Sequence, residues 1–231
     1  METKTMKVEI WSDITCMYCY TAKRKFESAL SQFKDKNKIE VVWKSFELAP
    51  DLKTDPDRFF PAFLAELRGI SLEQSREMID GVANMVKEVG LEFNLHKSIP
   101  ANSFNAHRLS HLAKHSQMQD KTEERLFKAY FTEGKNIDDI PTLVQLATEI
   151  GLDTSAVKKA LESTDYANQV KADISEAKEA GITSVPFFIF NAKATISGAQ
   201  ESKVFLQTLE RAFELWQAEE TQSCEIGKDC I

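Results

Sequence analysis

The stretch that decides the fold lies near the N-terminus and has the sequence VEIWSDITCMYC, residues 8–19. Val8 and Ile10 alternate and are followed by Trp11, a pattern that predicts a short strand. After the second cysteine, apolar residues recur at helical spacing, which predicts a helix with one apolar face. Residues 39–43 are mostly β-branched or aromatic and predict a second strand. The first part of the chain therefore has the order strand, Cys-x-x-Cys, helix, strand.

The rest of the chain is first helical and then returns to strands. Between residues 55 and 163 the apolar spacing is helical almost throughout and strand signals are absent, which predicts an all-helical insertion. A helix capped by Thr164 or Asp165 follows. Residues 185–190 and 194–196 then predict a strand pair joined by a turn, before a last amphipathic helix. We therefore expect an α/β fold with a mixed sheet and helices on both of its faces.

Composition and charge restrict the classes of function. The chain has 231 residues, a net charge of −7 and a pI of about 5.3. This acidic balance argues against nucleic acid or an anionic membrane surface as a partner. Four cysteines are too few for a disulfide-dense secreted scaffold. No apolar segment typical of a signal peptide follows the N-terminal lysines, so we expect a cytoplasmic protein.

The chemistry is concentrated in Cys16 and Cys19. The N-terminus of a helix carries free N–H groups and partial positive charge, which favour an anion. Cys16 is therefore predicted to have the lower pKa and to be the nucleophile. Cys19 lies one turn further along, close enough to attack a mixed disulfide on Cys16. These are the two steps of thiol–disulfide exchange, and a Cys-x-x-Cys between a strand and a helix is typical of a redox motif.

Two other interpretations of the cysteines remain open. Cys16 and Cys19 could form a zinc site with Cys224 and Cys230, although the spacing of the second pair is awkward for zinc. They could also be buried thiols without a function. The polar and aromatic residues around them do not form a fully buried apolar run, which argues against the second interpretation. We predict no metal site here.

Three histidines share one face of a predicted helix at residues 102–116. His107, His111 and His115 are four residues apart, and two such histidines can bind a metal ion. The three together span about 12 Å, too far for one ion. We expect a polar helix face, with His107 a candidate to border the active site.

Pro186 is the second signal for chemistry. A proline at the start of a strand has no backbone N–H to donate to the neighbouring strand. Pro186 lies in a turn before a continuous strand, and we expect the Val185–Pro186 bond there to be cis. The carbonyl and N–H groups of Val185 would then be free to pair with an extended peptide.

These motifs together resemble the DsbA family of the thioredoxin superfamily. The resemblance rests on Cys16-Met17-Tyr18-Cys19, on Val185-Pro186 and on Ser197-Gly198-Ala199-Gln200 before the last helix. Residues 102–109, NSFNAHRL, resemble the signature of the FrnE-like branch, which is related to 2-hydroxychromene-2-carboxylate isomerases and kappa-class glutathione transferases. The resemblance covers about residues 7–217.

The resemblance implies a domain plan and an activity. Residues 1–54 and 164–219 would form a discontinuous thioredoxin-like domain around the helical insertion 55–163. The activity would be that of a disulfide reductase or isomerase, with Cys16 as nucleophile and Cys19 as resolver. Its partners would be protein or small-molecule thiols and disulfides. No cofactor is implied, and glutathione is a candidate thiol partner. The candidate substrate contacts are Met17, Tyr18, Asn102, His107, Val185 and Pro186.

A glutathione-dependent isomerase or transferase is the alternative function. Those relatives typically have a serine where Cys16 stands, so the presence of both cysteines favours dithiol redox chemistry. The Met17-Tyr18 dipeptide lacks the histidine of strongly oxidising DsbA proteins, which predicts a less oxidising pair. The sequence leaves the oligomeric state open.

The C-terminal residues 220–231 are polar and are expected to form a flexible tail. They contain Cys224 and Cys230, a candidate second redox pair of the kind that some FrnE-like proteins carry. The alternative is that these cysteines have no role. With the last helix ending near Ala218, an extended tail would reach roughly 20 Å, enough to approach Cys16.

Overall fold

The protein is described here by a computed structural model that covers residues 4–226, with side chains through residue 221. Over this range the chain forms four strands and nine α-helices. Their bounds are β1 (Met6–Ser12), α1 (Met17–Gln32), β2 (Ile39–Ser45), α2 (Phe60–Arg68), α3 (Leu72–Lys87), α4 (Phe104–Lys114), α5 (Gln119–Phe131), α6 (Ile140–Glu149), α7 (Thr154–Glu162), α8 (Ala167–Glu179), β3 (Phe187–Phe190), β4 (Ala194–Ser197) and α9 (Ser202–Ile226).

The four strands form one mixed sheet with the order β2-β1-β3-β4. β1 pairs with β2 in parallel, as expected for strands joined by a helix. β3 pairs antiparallel with β1, and β4 antiparallel with β3. The predicted α/β class and mixed sheet are confirmed. The central strand β1 ends directly before the loop that carries Cys16.

The side chains of β1 alternate between two apolar layers. Val8 and Ile10 are fully buried on the face that α1 and α9 cover. Trp11 points to the other face, where it packs with Ala177 of α8 and with Ile182. The indole N–H of Trp11 donates to the carbonyl oxygen of Asp173 at 3.2 Å. Helices therefore cover both faces of the sheet. Helix α1 packs on the face that carries Val8 and Ile10, and this contact fixes its position.

Phenylalanines fill the layer between the sheet and helices α1 and α9. The rings of Phe26, Phe188 and Phe205 lie with centroids 4.8 to 5.8 Å apart. All three are buried, and tilted or edge-to-face pairs at this spacing add to the free energy gained by burial. This contact holds α1 firmly against the sheet, which keeps its N-terminus in place.

Helices α2 to α7 lie between β2 and α8 in the chain. Helix α3 begins with a complete capping box between Ser71 and Gln74. Helix α8 differs from expectation. Its N-cap is Tyr166, in a left-handed conformation and without a side-chain cap, so the predicted caps Thr164 and Asp165 are wrong. The turn before α8 is held from outside the helix.

Arg108 supplies that support. Its guanidinium, on α4, is buried and hydrogen-bonds backbone carbonyls where α7 ends and α8 begins. The accepting oxygens are those of Ala160 at 2.6 Å, Leu161 at 3.3 Å, Ser163 at 2.7 Å and Asp165 at 2.9 Å, with the side chain of Asn105 at 2.9 Å. The carbonyls at a helix C-terminus lack intrahelical partners and carry partial negative charge. Arg108 therefore joins the helical insertion to the start of α8.

Helix α9 is longer than the sequence predicted. It runs from Ser202 to Ile226, so residues 220–226 are helical, whereas the sequence predicted a tail beginning at residue 220. Among residues 4–226, no helix is both long enough and apolar enough to cross a membrane.

Candidate active site

Cys16 is the N-cap residue of α1. Its backbone is extended, with φ −90° and ψ 109°, and its N–H donates to the carbonyl oxygen of Asp13 at 3.0 Å. The N–H of Cys19 donates back to the carbonyl oxygen of Cys16 at 3.0 Å. Only 5% of Cys16 is exposed, and Cys19 is buried beneath it. Both thiols are therefore buried, and Cys16 is the less deeply buried of the two.

The Val185–Pro186 peptide bond is cis and lies opposite Cys16. The sulfur of Cys16 is 3.7 Å from the carbonyl oxygen of Val185. Val185 is half-buried and Pro186 is buried, directly before β3. The antiparallel pairing of β3 with β1 brings this turn to the end of β1, because the strands run in opposite directions. Two segments that are 169 residues apart thus meet at one sulfur atom.

The two thiols have pKa values displaced in opposite directions. The pKa of Cys16 is lowered, mainly by a hydrogen bond from the Cys19 side chain and further by the N–H groups of Cys19 and Tyr18, against the effect of burial. Burial raises the pKa of Cys19 well above its ordinary value, and its interaction with Cys16 raises it further. This is the asymmetry that an attacking and a resolving thiol require.

Asp13 fastens the loop that carries Cys16. Its carboxylate is completely buried and accepts hydrogen bonds from the backbone N–H groups of Thr15 at 2.9 Å and Leu48 at 2.6 Å. The negative charge of Asp13 opposes the lowering of the Cys16 pKa. The Asp13 carboxylate therefore joins the loop before α1 to the segment that follows β2. Its charge also disfavours the Cys16 thiolate.

The side chain of His107 is enclosed behind the loops that carry the site and does not contact Cys16. The ring is buried, and its Nε2 donates to the carbonyl oxygen of Phe46 at 2.9 Å. Burial lowers the pKa of His107. The same nitrogen is 3.9 Å from Oδ1 of Asp13. The prediction of a substrate contact is wrong for this residue, because neighbouring groups enclose its side chain.

Asn102 is likewise a supporting residue. Its Nδ2 donates to the carbonyl oxygens of Pro50 and Leu52 at 3.1 and 3.3 Å, and its Oδ1 accepts from the N–H of Phe104 at 2.9 Å. These bonds use both ends of the amide to hold the loop after β2. Asn102 is half-buried, and its role in substrate binding stays a prediction beside this structural one.

The two residues between the cysteines differ in exposure. Met17 is half-buried and packs against the core, whereas 53% of Tyr18 is exposed. Leu48, which is bonded to Asp13, is 51% exposed. Exposed apolar side chains therefore belong to both segments beside Cys16.

The predicted polar face of the histidine helix is wrong, because His107 and His111 are both buried. The Nε2 of His111 lies 3.1 Å from Oγ of Ser45 and 3.0 Å from Oδ2 of Asp173. A Ser-His-Asp triad requires contacts from opposite ring nitrogens, so this cluster is not one. It ties α4 to β2 and α8. Among the side chains that the structure describes, through residue 221, no group of three or more histidine, cysteine or acidic residues is arranged to hold a metal ion.

The end of α9 lies far from Cys16. Glu220 forms an ion pair with Lys4, which precedes β1, whereas Cys16 follows the other end of that strand. A strand of seven residues spans roughly 20 Å. Cys224 falls within α9, and a helix rises only about 1.5 Å per residue, so the expected reach of an extended tail is wrong for this part of the chain. Cys230 lies outside the described residues.

The sequence patterns did not identify Ser12 and Asp13 as residues of the site. Both are buried polar residues, at the end of a strand whose other inward-facing side chains are apolar. This break in the apolar pattern was the available signal, because buried polar groups need a partner or a function.

A thiol pair at the start of the helix after the first strand, facing a cis-proline before an antiparallel strand, defines the class of thioredoxin-like proteins. The family model that describes a DSBA-like thioredoxin domain matches residues 7–210, and the chain belongs to this family. The FrnE-like resemblance fits this membership.

Relatives and solved structures agree with the family. An uncharacterized protein of Bacillus subtilis (strain 168), YwbO, is 32% identical over 203 residues, which cover 87% of this chain and 94% of that protein. A structure described as a probable DsbA oxidoreductase from Streptomyces coelicolor is 35% identical, covers 90% of both chains and has a TM-score of 0.83. The cytosolic disulfide reductase DsbM from Pseudomonas aeruginosa is 14% identical, with 94% of this chain and 99% of that chain covered and a TM-score of 0.59, a likeness of fold alone.

Proposed function

We propose that this protein is a thiol–disulfide oxidoreductase that acts as a disulfide reductase or isomerase on protein or small-molecule disulfides in the cytoplasm. One observation carries the proposal: two thiols at the N-terminus of α1 have pKa values displaced in opposite directions, and the more exposed one lies 3.7 Å from the Val185 carbonyl. Family membership supports the reaction class.

The reduction of a disulfide proceeds in two exchanges. The Cys16 thiolate attacks one sulfur of the substrate disulfide, and the other sulfur leaves as a thiolate that takes up a proton from solvent. Cys19 then loses its proton and attacks the Cys16 sulfur, which releases the second substrate thiol and leaves a Cys16–Cys19 disulfide. In isomerisation the first exchange is the same, but a second thiolate of the substrate then attacks the substrate sulfur of the mixed disulfide. A new substrate disulfide forms and Cys16 leaves as a thiolate, without Cys19 taking part.

The surroundings of Cys16 favour an extended peptide as substrate. The Val185 backbone precedes β3 in a turn and offers hydrogen-bonding groups beside the sulfur. Tyr18 and Leu48 add exposed apolar area nearby. Glutathione is a further candidate partner. The DsbM protein has been solved with GSH, and it shares this fold.

Redox titration tests the proposal. Reduced protein is equilibrated with glutathione buffers of graded potential, and the Cys16–Cys19 disulfide is scored by alkylation and peptide mapping. We expect a single two-electron transition and glutathione-driven insulin reduction that Cys16→Ser abolishes. If no Cys16–Cys19 disulfide forms at any potential, the proposal is wrong. Turnover of a 2-hydroxychromene-2-carboxylate substrate without insulin reduction would favour the alternative isomerase.

A further inference from the structure

The hydroxyl group of Ser12 is buried without a hydrogen-bond partner. Ser12 is the last residue of β1 and is only 1% exposed, and its Oγ makes no hydrogen bond within the described residues. An unpaired buried hydroxyl is unfavourable, because the group has lost its bonds to water and gained none in return. Such a group in a folded protein calls for an explanation.

The position of Ser12 relates this hydroxyl to the buried thiol. Alternation along β1 places Ser12 on the face that carries Val8 and Ile10, which α1 covers, and Cys19 is buried in the first turn of α1. The Ser12 hydroxyl and the backbone N–H of Asp13 both lower the pKa of Cys19, against the larger effect of burial.

The pairing of the thiols explains why the hydroxyl is unpaired in the reduced protein. There the Cys19 thiol donates a hydrogen bond to Cys16, which lowers the pKa of Cys16, so Cys16 is the first of the two thiols to ionise. A neutral thiol sulfur is a weak acceptor, whereas a thiolate is a strong one. A hydroxyl can rotate about its Cβ–Oγ bond and turn to a newly formed charge.

We propose that Ser12 is the hydrogen-bond donor that stabilises Cys19 as a thiolate during resolution of the mixed disulfide. This inference rests on the proposed function. Once Cys16 is joined to a substrate sulfur, it no longer carries a charge. Cys19 then releases its proton to solvent, its thiolate attacks the Cys16 sulfur, and the substrate sulfur leaves and takes up a proton. The Ser12 O–H and the Asp13 N–H are the donors available to that thiolate.

The same donor serves the reverse direction. When a substrate thiolate attacks Cys16 of the oxidised protein, the Cys16–Cys19 bond breaks and Cys19 leaves as a thiolate. Stabilising that leaving group speeds the step. The role of Ser12 is therefore independent of whether the protein works as a reductase or as an oxidase.

The test separates attack from resolution. Reduced full-length protein is mixed with oxidised glutathione, quenched with acid at intervals and mapped by mass spectrometry for the Cys16–glutathione mixed disulfide and the Cys16–Cys19 disulfide. We expect Ser12→Ala to leave formation of the mixed disulfide unchanged and to slow its conversion about threefold at pH 7. Loss of the donor raises the Cys19 pKa and so lowers its thiolate fraction, and the stronger nucleophile recovers about half of this loss on a logarithmic scale.

Two further variants provide controls. Ser12→Thr keeps the hydroxyl and should restore the rate of resolution. Ser45→Ala removes the hydroxyl of the residue that pairs with Ser12 in β2 and should leave both steps unchanged. Because Ser12→Ala removes an unpaired polar group, the melting temperature of the reduced variant should be no lower than that of the wild type.

The outcomes distinguish this inference from the function on which it rests. Equal resolution rates for Ser12→Ala and wild type overturn the role of Ser12 and leave the oxidoreductase intact. Equal slowing of both steps, or loss of the fold in Ser12→Ala, also overturns it, because either result indicates a structural role. Failure of the wild type to form the mixed disulfide rejects the proposed function together with the inference.

Discussion

The carboxylate of Asp13 accepts a hydrogen bond from the backbone N–H of Leu48 at 2.6 Å. This bond joins the loop before α1 to the segment after β2. The carboxylate also accepts a hydrogen bond from the N–H of Thr15, within the same loop. One buried carboxylate therefore fixes the conformation of the loop that leads to Cys16. The arrangement has a functional consequence, because the same charge disfavours the Cys16 thiolate.

Asp13→Asn should therefore lower the pKa of Cys16 further. Removal of the negative charge deletes a repulsion while the helix N-terminus and the Cys19 thiol continue to stabilise the anion. The measurement is the pH dependence of Cys16 alkylation by iodoacetamide. Asp51→Asn is the matched control, since Asp51 is exposed and does not act on Cys16. A Cys16 pKa that is unchanged or higher in Asp13→Asn would contradict the prediction.

Serine substitutions should separate the roles of the two thiols. Cys16→Ser should abolish disulfide reduction, because Cys16 is the thiol beside the Val185 carbonyl and Cys19 is more deeply buried. Cys19→Ser should retain attack and accumulate mixed disulfides on Cys16, since resolution requires Cys19. Non-reducing gels with a model protein disulfide provide the measurement. Trapping by Cys16→Ser and none by Cys19→Ser would invert the assignment.

Arg108→Met should destabilise the protein by about 3 kcal/mol. It leaves four backbone carbonyls at the junction of α7 and α8 without their donors, and buried acceptors that lose their partners are costly. Urea unfolding provides the free energies. Arg211→Met, at an exposed position in α9, removes the same charge and should change the free energy of unfolding by less than about 0.5 kcal/mol. Similar losses in both variants would count against the interpretation.

Glu123 should make the stability depend on pH between about 4.5 and 7. Burial raises its pKa from 4.5 to about 7, and its Oε2 is buried without a partner within the described residues. The folded state holds a proton in this window that the unfolded chain has lost. The free energy of unfolding therefore falls as pH rises through the window, by about 3 kcal/mol.

Glu123→Gln provides the comparison. The amide oxygen can still accept the hydrogen bond from Ser110, which is 2.5 Å long in the wild type, and no charge is buried at any pH. The fall in stability should therefore be absent or much smaller in the variant. Urea unfolding at pH 5 and pH 8 measures the difference, and parallel pH profiles for both proteins would refute the role of Glu123.

The C-terminal cysteines should take part in turnover only between molecules. The ion pair of Glu220 with Lys4 places the end of α9 at the start of β1, away from Cys16. Truncation after Thr221 should therefore slow insulin reduction only at high enzyme concentration. On dilution, the specific activities of the truncated and full-length proteins should become equal. The alkylation rate of Cys16 should be unchanged. A loss of activity that is independent of concentration would indicate a relay within one molecule.

Much of the fold could be predicted from local pattern. The alternation of Val8 and Ile10, the helical spacing after Cys19 and the turn before Ala194 each depend on neighbours in the chain, and each element forms where it was expected. The bounds of helices were less predictable. The start of α8 is held by Arg108 from another helix, and no local cap marks it.

A Cys-x-x-Cys that opens a helix after a strand can be read from the sequence alone. Helix polarity favours the Cys16 thiolate, because the free N–H groups of the first turn are a property of any helix. The groups that surround this thiol depend on the tertiary structure. The Val185 carbonyl, the Asp13 charge and the Ser12 hydroxyl reach the two sulfurs through strand pairing and burial, and His107 is turned inward by the packing of α4. Contacts of this kind depend on which distant segments pack together, and that choice is made by the whole core, whereas local spacing records only the neighbours of each residue along the chain.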